Sequence, residues 1–417
     1  MKILKLPPYF YPEQVSSSHL TQDLYEAYRD AGIETEVFVP TPSRGIDEET
    51  RKKYRNVLEE KLYGGSVTVH RFPALKENHN VLFRAFRYIS VHFKQYRRGI
   101  KAEGIDLIYG ASTPPTQGIL CAKVKKTLSK RYGHTVPFIY CLQDVFPDSL
   151  VNAKITKKGS LIWKIGRKIE DSIYRNADLI IVIGEGIKEN ILKKGVPAEK
   201  IKVIPNWIDT EAVKPVTRES NQLFSELGLE HDKFYVTYAG NMGTAQGIDT
   251  ILDAAGLLRE EEDVRFIIFG GGSKRDFYAE KIKELNNVSL YPLQPPEKVS
   301  LVYSLGDLSI VACKKGVGAS AVPSKTFSIL ATGTPIALSF DSGSELWDLI
   351  ERNDCGYLAQ ADDAKGLAMR IMEAYHDRAV LKTKGENGLK LVKESYSKEH
   401  GTKAYIRVIQ QAVIQNN

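Results

Sequence analysis

Short apolar segments rich in β-branched residues alternate with longer amphipathic segments along the first half of the chain. This pattern predicts strands at 2–6, 35–39, 67–71, 106–109, 137–142, 178–183 and 202–205. Helices are predicted between most of them, at 18–31 and 81–99 and within the highly charged segment 44–66. Alternation of strands with helices is typical of a doubly wound domain, so the first half is predicted to be one such domain.

The same alternation starts again after a break. Residues 204–220 hold turn residues and a lone tryptophan without any period, which predicts a hinge. Beyond it, strands are predicted at 235–238, 264–269, 288–290, 308–312 and 356–359, with helices at 248–259, 277–285 and 344–352 and a helical tail over 363–417. The predicted fold class is therefore α/β, with two doubly wound Rossmann-like domains at 1–210 and 211–395.

The segment 311–335, VACKKGVGASAVPSKTFSILATGTP, places a cationic loop directly before a predicted helix start. Pro323 suits the first turn of that helix. Free N–H groups at a helix start carry a partial positive charge, to which Lys314, Lys315 and Lys325 add their own charge. The segment predicts a phosphate site, and the alternative is a solvated loop followed by an ordinary helix.

Three predicted strands of the second domain end in glycine-rich loops, with glycines at 240, 243 and 247, at 270–272, and at 316 and 318. Because these strand ends share one edge of a parallel sheet, they predict a cradle for a nucleotide diphosphate. The sequence GNMGTAQG lacks the spacing of the dinucleotide-binding fingerprint of oxidoreductases. The predicted nucleotide-binding residues are Gly240, Asn241, Met242, Gly243, Gly271, Gly272, Ser324 and Lys325, with backbone N–H groups of 240–243 and 324–326 facing the phosphates.

Two strand ends of the first domain carry candidate polar contacts. The loop 8–17 is longer than a crossover needs, so Ser16, Ser17, Ser18 and His19 are candidate contacts to an acceptor. Capping of the following helix by Ser17 or Ser18 is the alternative. Asp144, in QDVFPD, follows the predicted strand 137–142 and so lies at the carboxyl edge of its sheet.

Charge is unevenly distributed along the 417 residues, whose net charge is +7. Residues 51–200 hold 29 basic and 13 acidic side chains, whereas residues 214–417 hold 24 basic and 27 acidic ones. Such a basic block attracts anionic lipid, phosphate or nucleic acid. Within it, VLFRAFRYISVHFKQYRRG at 81–99 predicts an amphipathic helix, which either buries its apolar face and solvates its basic face or lies on a membrane surface. Within residues 154–175, Ile162 and Trp163 accompany six basic residues that precede Asp171.

Composition narrows the class of protein further. With 42% hydrophobic residues, the chain can bury a large core. No apolar run reaches the ~18–20 residues of a membrane-spanning helix, and the start does not resemble a signal peptide, so we expect a cytoplasmic protein. The cysteines are scattered in apolar surroundings at Cys121, Cys141, Cys313 and Cys355, which predicts core thiols and no metal site.

Several motifs together resemble one family. YFYPE, QDVFPDSL, KIKVIPNWIDT, YAGNMGTAQGID, PSKTFSILATGTP and SGSE occur in the same order in the family 4 glycosyltransferases, in a bacterial branch that builds surface polysaccharides. IPNWIDT followed by GNMGTAQG is specific, while YFYPE and the glycine triplet are not. The resemblance covers nearly the whole chain and implies the GT-B fold, in which two Rossmann-like domains face each other across a cleft and a C-terminal helix, here 396–417, crosses back to the first domain.

The resemblance also implies an activity. It implies retaining transfer of a hexosyl group from a nucleotide-sugar, usually a UDP-sugar, without a metal or another cofactor. In the usual scheme the leaving phosphate oxygen takes the acceptor proton, so no strong protein base is required. The nucleotide is expected in the second domain and a glycan or lipid-linked acceptor in the first, whose basic surface is expected to lie on the inner face of the membrane.

Some positions depart from the family pattern. Many members hold the diphosphate with an arginine and a lysine where this chain has Asn241 and Gln246. Many also carry two glutamates where this chain has Ser320 and Ser328. A diphosphate drawn out of water needs compensating charge, so another cation is expected to replace the missing pair.

Three side chains are candidates for the transfer step. Lys325 is expected to supply the missing charge, supported by Lys314 or Lys315. Glu345 aligns with a family acid that contacts the ribose or the sugar, or else it only stabilises a helix N-terminus. Asp144 is expected to orient the acceptor hydroxyl or to stabilise positive charge on the donor sugar, unless it caps the turn that follows it.

Two other functions stay open from the sequence. A sugar-nucleotide epimerase on the same fold would also bind UDP, and its turnover of donor without acceptor would identify it. A basic nucleic-acid-binding protein is disfavoured because the basic residues lack interleaved exposed aromatics and no nucleic-acid motif occurs, so we expect no nucleic-acid partner.

Overall fold

The computed structural model describes residues 1–13, 18–75, 81–152, 155–318 and 322–415. The chain divides into two compact units. Unit 1 comprises Met1–Pro205 together with Thr402–Asn417, and unit 2 comprises Asn206–Gly401.

Unit 1 is built on one eight-stranded sheet. Its strands are β1 (Lys2–Lys5), β2 (Glu34–Pro40), β3 (Glu59–Leu62), β4 (Val67–Phe72), β5 (Leu107–Ala111), β6 (Phe138–Leu142), β7 (Leu179–Val182) and β8 (Ile201–Val203). Its helices are α1 (Ser18–Asp30), α2 (Glu48–Tyr54), α3 (Val81–Gly99), α4 (Gln117–Tyr132), α5 (Asp148–Asn152), α6 (Leu161–Asn176) and α7 (Glu185–Lys193). The strand order is β3-β4-β2-β1-β5-β6-β7-β8, and only the edge pair β3 and β4 is antiparallel among the strand pairs of the described residues.

Local sequence signals set several of these boundaries. Ser160 caps α6 by accepting a hydrogen bond from the Trp163 N–H at 3.2 Å. Gly133 ends α4 with a φ of +78°, a conformation that favours glycine. The hydrophobic pattern does not predict β3, because EEKL is charged at three of its four positions and lies exposed at the sheet edge, where charge prevents pairing with other chains.

Unit 2 is built on a six-stranded parallel sheet. Its strands are β9 (Phe234–Asn241), β10 (Val264–Gly271), β11 (Val288–Pro292), β12 (Leu308–Ala312), β13 (Ile336–Phe340) and β14 (Gly356–Gln360), in the order β11-β10-β9-β12-β13-β14. Its helices are α8 (Gln222–Leu227), α9 (Ile248–Leu257), α10 (Arg275–Ile282), α11 (Val299–Leu305), α12 (Lys325–Ala331), α13 (Glu345–Arg352), α14 (Ala364–His376) and α15 (Arg378–Ser395). A last helix, α16 (Lys398–Ile414), begins in unit 2 and continues into unit 1. The prediction of two doubly wound Rossmann-like domains is confirmed.

The helical layer on one face of the unit 1 sheet contains α3, α4 and α6, with α4 packed between the other two. Their buried residues, among them Val91, Val124 and Ile173, form one apolar core with the central strands. Each helix therefore turns its other side toward solvent.

The orientation of α3 contradicts the alternative in which its apolar face is buried and its basic face is solvated. Its exposed large apolar residues are Phe83, Phe86, Ile89 and Phe93, each between 48% and 68% accessible. Arg87, expected on the solvated basic face, is only 2% exposed. Its guanidinium donates to the Leu75 carbonyl oxygen at 3.0 Å and to Ser43 Oγ at 3.2 Å. The helix thus presents aromatic and aliphatic side chains to water and keeps a cation inside.

The core of unit 1 also holds a lysine. Lys5, at the end of β1, is 6% exposed, and its Nζ lies 4.5 Å from the ring centroids of both Tyr25 and Tyr109. Burial lowers the pKa of Lys5 to about 7. Helix α16 contributes Tyr405 to the same region, where its hydroxyl lies 3.2 Å from Cys141 Sγ.

In unit 2, the segment before α16 pairs with the segment that enters the unit. The Ile208 N–H donates to the Tyr396 carbonyl oxygen at 2.9 Å, and the Lys398 N–H donates to the Ile208 carbonyl oxygen at 2.9 Å. The Tyr396 ring stacks on Phe327 of α12 with centroids 4.3 Å apart. Helix α12 is thereby fixed against this paired segment.

Candidate active site

A pocket of about 470 Å³ opens in unit 2 at the carboxyl ends of β9, β11 and β12. Its walls come from the strand ends, from the loop after β11 with α11, and from the start of α12. The residues that line it are Tyr238, Ala239, Gly240, Asn241, Ala245, Gln246, Phe269, Leu293, Gln294, Pro295, Pro296, Val299, Val302, Tyr303, Ala312, Cys313, Val317, Pro323, Ser324, Lys325 and Phe340. In open α/β sheets, ligands bind outside the carboxyl ends of the strands, which is where this pocket lies.

The backbone at the end of β9 faces the pocket. Gly240 has a φ of +152°, and a Cβ placed there would lie 3.6 Å from Lys325 Nζ. The Tyr238 hydroxyl donates to the Asn241 carbonyl oxygen at 2.8 Å and so fixes the turn that follows. Gly240 and Asn241, both predicted from the sequence as nucleotide contacts, therefore line the pocket together.

Lys325 supplies the positive charge of the pocket. Its Nζ lies 4.0 Å from the centroid of the Tyr238 ring, at a distance typical of a cation–π contact. Burial lowers the pKa of Lys325 to about 7, and no nearby carboxylate of the described residues opposes this effect. A buried ammonium group without an anionic partner is costly, so an anionic ligand would stabilise it.

Another part of the pocket wall is apolar. Leu293, Pro295 and Pro296 follow β11, and Val299 with Val302 belongs to α11. These side chains form a slot next to the charged end of the pocket. A flat aromatic group attached to a phosphate would match the slot and the lysine at the same time.

Several predicted nucleotide contacts do not line the pocket. Met242, a predicted contact, is buried, and its N–H donates to the Gly271 carbonyl oxygen at 2.6 Å, so this N–H is not available to a phosphate. A Cβ on Gly272, where φ is +114°, would meet Asn241 Oδ1, and a Cβ on Gly271 would lie 2.8 Å from Leu293. The glycines of this loop are required by packing between loops.

Gly243 is absent from the pocket lining as well. A Cβ on Gly243 would lie 2.8 Å from Gln246 Oε1. At the start of α12, the Thr326 N–H donates to the Pro323 carbonyl oxygen at 3.0 Å, which corrects the expectation that it faces a phosphate. Ser324 and Lys325 stay in the pocket wall.

The cationic loop after β12 also differs from the expectation. Lys314 Nζ lies 3.4 Å from Asp249 Oδ2 and 3.9 Å from Asp362 Oδ1, so its charge is balanced by two carboxylates. Lys315 is exposed, and neither lysine lines the pocket. The loop does hold an anion, because the Asp341 carboxylate accepts hydrogen bonds from the Gly316 and Gly318 N–H groups. In this structure neither Lys314 nor Lys315 stands beside Lys325 in the pocket wall, and their support for it stays a prediction.

The remaining candidates lie elsewhere. Asp144 is exposed after β6, where its N–H donates to Ser112 Oγ at 3.3 Å. Ser18 and His19 form the start of α1. Glu345 is the exposed first residue of α13, and its charge adds to the effect of burial in raising the pKa of Tyr396. The predicted positions Ser16, Ser17 and Ser320 lie outside the described residues.

Sequence reasoning missed the aromatic and apolar part of the site. The Tyr238 ring makes the cation–π contact with Lys325. Because Tyr238 belongs to a buried strand, the sequence pattern indicates only a core residue at this position. The slot residues after β11 occur in YPLQPPE, whose prolines indicate a rigid loop without indicating what it contacts. Asp341 gives no signal at all, since its partners are backbone groups distant in sequence.

The described residues contain neither a cluster of metal-binding side chains nor a membrane-spanning helix. Within the described ranges, no group of three or more His, Cys, Asp and Glu side chains is arranged to hold a metal ion. None of the helices in those ranges is long and apolar enough to cross a membrane.

Comparison with protein families assigns both halves of the chain. Residues 18–212 match the model of Glycosyltransferase Family 4, and residues 219–391 match the model of Glycosyl transferases group 1. The chain belongs to the family 4 glycosyltransferases. The family predicted from the motifs is thus confirmed, and the two matches meet near the hinge at 204–220.

This glycosyltransferase chain is similar to two bacterial proteins that are named as glycosyltransferases. WcaI of Escherichia coli (strain K12), named as a colanic acid biosynthesis glycosyl transferase, is 28% identical over 239 residues, which are 56% of this chain and 58% of WcaI. WbjE of Pseudomonas aeruginosa, named as a glycosyltransferase, is 28% identical over 245 residues, which are 58% of this chain and 61% of WbjE. The matched segments thus span about three-fifths of these two relatives.

Among solved structures, HepE of Anabaena in complex with UDP superimposes with a TM-score of 0.71 at 16% sequence identity, covering 99% of this chain and 100% of HepE. At this identity the likeness shows the fold. It confirms the GT-B class that the sequence predicts for this glycosyltransferase chain.

Proposed function

We propose that this protein is a retaining glycosyltransferase that moves a sugar from a UDP-sugar to a lipid-linked acceptor in cell-surface polysaccharide synthesis. Family membership supports glycosyl transfer, and WcaI, named for colanic acid biosynthesis, supports the polysaccharide context. The donor, the stereochemistry and the acceptor are parts of the proposal.

The pocket in unit 2 is the observation that carries the donor assignment. It combines a slot between β11 and α11 with a partly buried lysine that has no carboxylate partner among the described residues. We place the nucleobase in the slot and the diphosphate beside Lys325 and Gly240. The complex of HepE with UDP supports a uridine nucleotide, since the folds are alike.

The reaction needs little proton chemistry from the protein. The acceptor oxygen bonds to the anomeric carbon while the bond from that carbon to the β-phosphate oxygen breaks, and the leaving diphosphate takes the acceptor proton. Lys325 stabilises the charge that develops on the diphosphate. Asp144, an exposed carboxylate at the carboxyl edge of the unit 1 sheet, is proposed to orient the acceptor hydroxyl.

The outer surface of the α3, α4 and α6 layer supports a lipid-linked acceptor. Exposed apolar side chains of α3 are Phe83, Phe86, Ile89 and Phe93, and those of α6 are Leu161, Ile162 and Ile165. Between them, α4 exposes the basic residues Lys123, Lys126, Lys130 and Arg131. Binding at a membrane interface combines insertion of apolar groups among the lipids with attraction of basic groups to anionic headgroups. Each basic group contributes about 1 kcal/mol to the binding free energy.

Calorimetry tests the donor assignment. The full-length protein is titrated with UDP, ADP, GDP and dTDP, and UDP is expected to bind most tightly. Tighter binding of another nucleotide would refute the base, and no binding of any would refute the pocket as the donor site. Turnover of UDP-sugars is then followed as UDP release, and proton NMR of the product determines whether the anomeric configuration is retained.

Sedimentation with vesicles tests the membrane assignment. At low salt, the protein is expected to sediment with vesicles that contain anionic phosphatidylglycerol and much less with neutral phosphatidylcholine vesicles, because surface charge attraction is screened by salt. The double variant Phe86→Ser with Ile89→Ser is expected to lose this binding. Phe277→Ser, at a residue 52% exposed on unit 2, is the matched control. No sedimentation with anionic vesicles would favour a soluble acceptor, and equal sedimentation with both lipids would contradict the role of the basic residues.

A further inference from the structure

The loop between β12 and α12 is held by carboxylates from the two neighbouring strand ends. Asp341, directly after β13, accepts hydrogen bonds from the Gly316 N–H at 2.9 Å and from the Gly318 N–H at 2.9 Å. Asp362, after β14, accepts a hydrogen bond from the Lys315 N–H at 3.1 Å. Three successive parallel strands thus end in loops that are connected side by side.

The residue between the two bonded glycines belongs to the donor pocket. Val317 is 44% exposed and lines the pocket, so its position depends on the hydrogen bonds on both sides of it. Gly316 has a φ of +82°, and a Cβ on Gly318 would lie 2.6 Å from the Phe340 ring. Both glycines are therefore constrained by the conformation that Asp341 holds.

The Asp341 contact also has an electrostatic consequence. Successive backbone N–H groups that converge on one point form a binding site for an anion. Here the protein's own carboxylate occupies that site, and the neighbouring Lys314 is paired with Asp249 and Asp362. Among the described residues that line the pocket, Lys325 is therefore the cation left for a ligand phosphate.

We propose that Asp341 is a positioning residue of the donor pocket, which holds the loop 314–318 so that Val317 keeps its place in the pocket wall. The proposal rests on the proposed function, because it assumes that the pocket binds the donor nucleotide. It does not assign a chemical step to Asp341.

Three variants separate this role from a general loss of stability. Asp341→Ala removes both hydrogen bonds. Asp341→Asn removes the charge but keeps an oxygen, and Asp341 Oδ2 alone accepts from both glycines in the structure. Asp377→Ala is the control, because Asp377 also accepts a backbone hydrogen bond, from the Val380 N–H at 2.9 Å, at the start of α15.

The first measurement is hydrogen exchange of the peptide that covers 313–318, without ligand. Asp341→Ala is expected to exchange faster than the wild type, and Asp377→Ala is expected to match it. Unchanged exchange in Asp341→Ala would overturn the proposal. This measurement does not involve a nucleotide, so it decides the role of Asp341 in the loop even if UDP fails to bind and the proposed function fails.

The second measurement is calorimetry with UDP. We expect Asp341→Ala to weaken UDP binding by about tenfold, the size of one lost hydrogen-bond contribution, and Asp341→Asn to recover most of the affinity. In turnover, KM for the donor is expected to rise while kcat changes little. Wild-type affinity in Asp341→Ala, or an equal loss in Asp377→Ala, would overturn the proposal.

Discussion

Replacement of Lys325 by alanine tests the donor site most directly. The Lys325 ammonium lies over Tyr238, next to Gly240, and has no ion-pair partner among the described residues that would compete with a ligand. Loss of a charged hydrogen-bond donor to a phosphate costs about 1.5–3 kcal/mol, which corresponds to a tenfold to hundredfold weaker affinity. We expect Lys325→Ala to weaken UDP binding within this range.

The pH dependence of binding gives an independent readout. The pKa of Lys325 is lowered to about 7 by burial, and a bound diphosphate would raise it again. Above pH 7, binding must therefore be accompanied by proton uptake, so UDP affinity is expected to fall between pH 7 and pH 9 by up to about tenfold per pH unit. Below pH 7 the phosphate itself begins to titrate, so the comparison is made above that value.

The same lysine affects the stability of the unliganded protein in the opposite direction. Because burial lowers its pKa, the unfolded state binds more protons than the folded state between about pH 7 and the unfolded pKa near 10.4, and stability rises with pH across this window. Lys325→Met removes this dependence. At pH 7 it is expected to stabilise the protein by at least about 1 kcal/mol, which raises Tm by 2–4 °C in a unit of this size.

Calorimetry with UDP from pH 7 to pH 9 and thermal unfolding without ligand check these outcomes. Lys233→Ala is the matched control, because Lys233 is a lysine of unit 2 that pairs with Asp263 at 2.9 Å outside the pocket. Unchanged UDP affinity in Lys325→Ala would refute the assignment of the diphosphate. A flat pH profile in the wild type would refute the role of the buried charge.

Three further predictions concern stability and activity. Gly272→Ala is expected to lower the free energy of unfolding by about 2–4 kcal/mol, because Gly272 has a φ of +114° and an added Cβ would clash with Asn241. An unchanged midpoint of urea unfolding would contradict this prediction. Lys5→Met is expected to stabilise unit 1 at pH 7, with the gain vanishing toward pH 10, because burial lowers the pKa of Lys5 to about 7; thermal unfolding across this range measures it. Asp144→Asn is expected to lower kcat by about tenfold or more while UDP affinity stays constant, and an unchanged kcat would exclude Asp144 from the transfer step.

Most strands and helices follow from the hydrophobic pattern, because buried parallel strands such as β12 are short apolar runs between turn residues. Strand β13 is also a short apolar run, but it was not predicted, because it begins directly after the glycine that ends the preceding helix, Gly333. Helix α3 shows a different limit. The periodicity of apolar residues predicts that a helix has an apolar face, but it does not show whether this face packs on the core. In α3, Arg87 is buried and Phe86 is exposed.

Site residues could be predicted where the residue type at a given position of an element has a single structural explanation. Lys325 follows a proline at a helix start, and Gly240 ends a strand, so both could be placed at the ligand edge of the sheet. Gly272 could not be interpreted, because a glycine that admits a neighbouring side chain has the same sequence signal as one that admits a ligand. Asp341 could not be found, because its partners are distant N–H groups.

The division of unit 1 into two chain segments has a consequence for biosynthesis. Tyr405, Ile409 and Ala412 of α16 are at most 3% exposed, and α16 reaches unit 1 only after all of unit 2 has been translated. On the ribosome, the sheet of unit 1 must therefore wait for its last helix with an apolar surface uncovered, while unit 2 can complete its own core first. A fragment that ends at the hinge would carry the same uncovered surface permanently, and we expect it to require a chaperone or the α16 peptide to stay in solution.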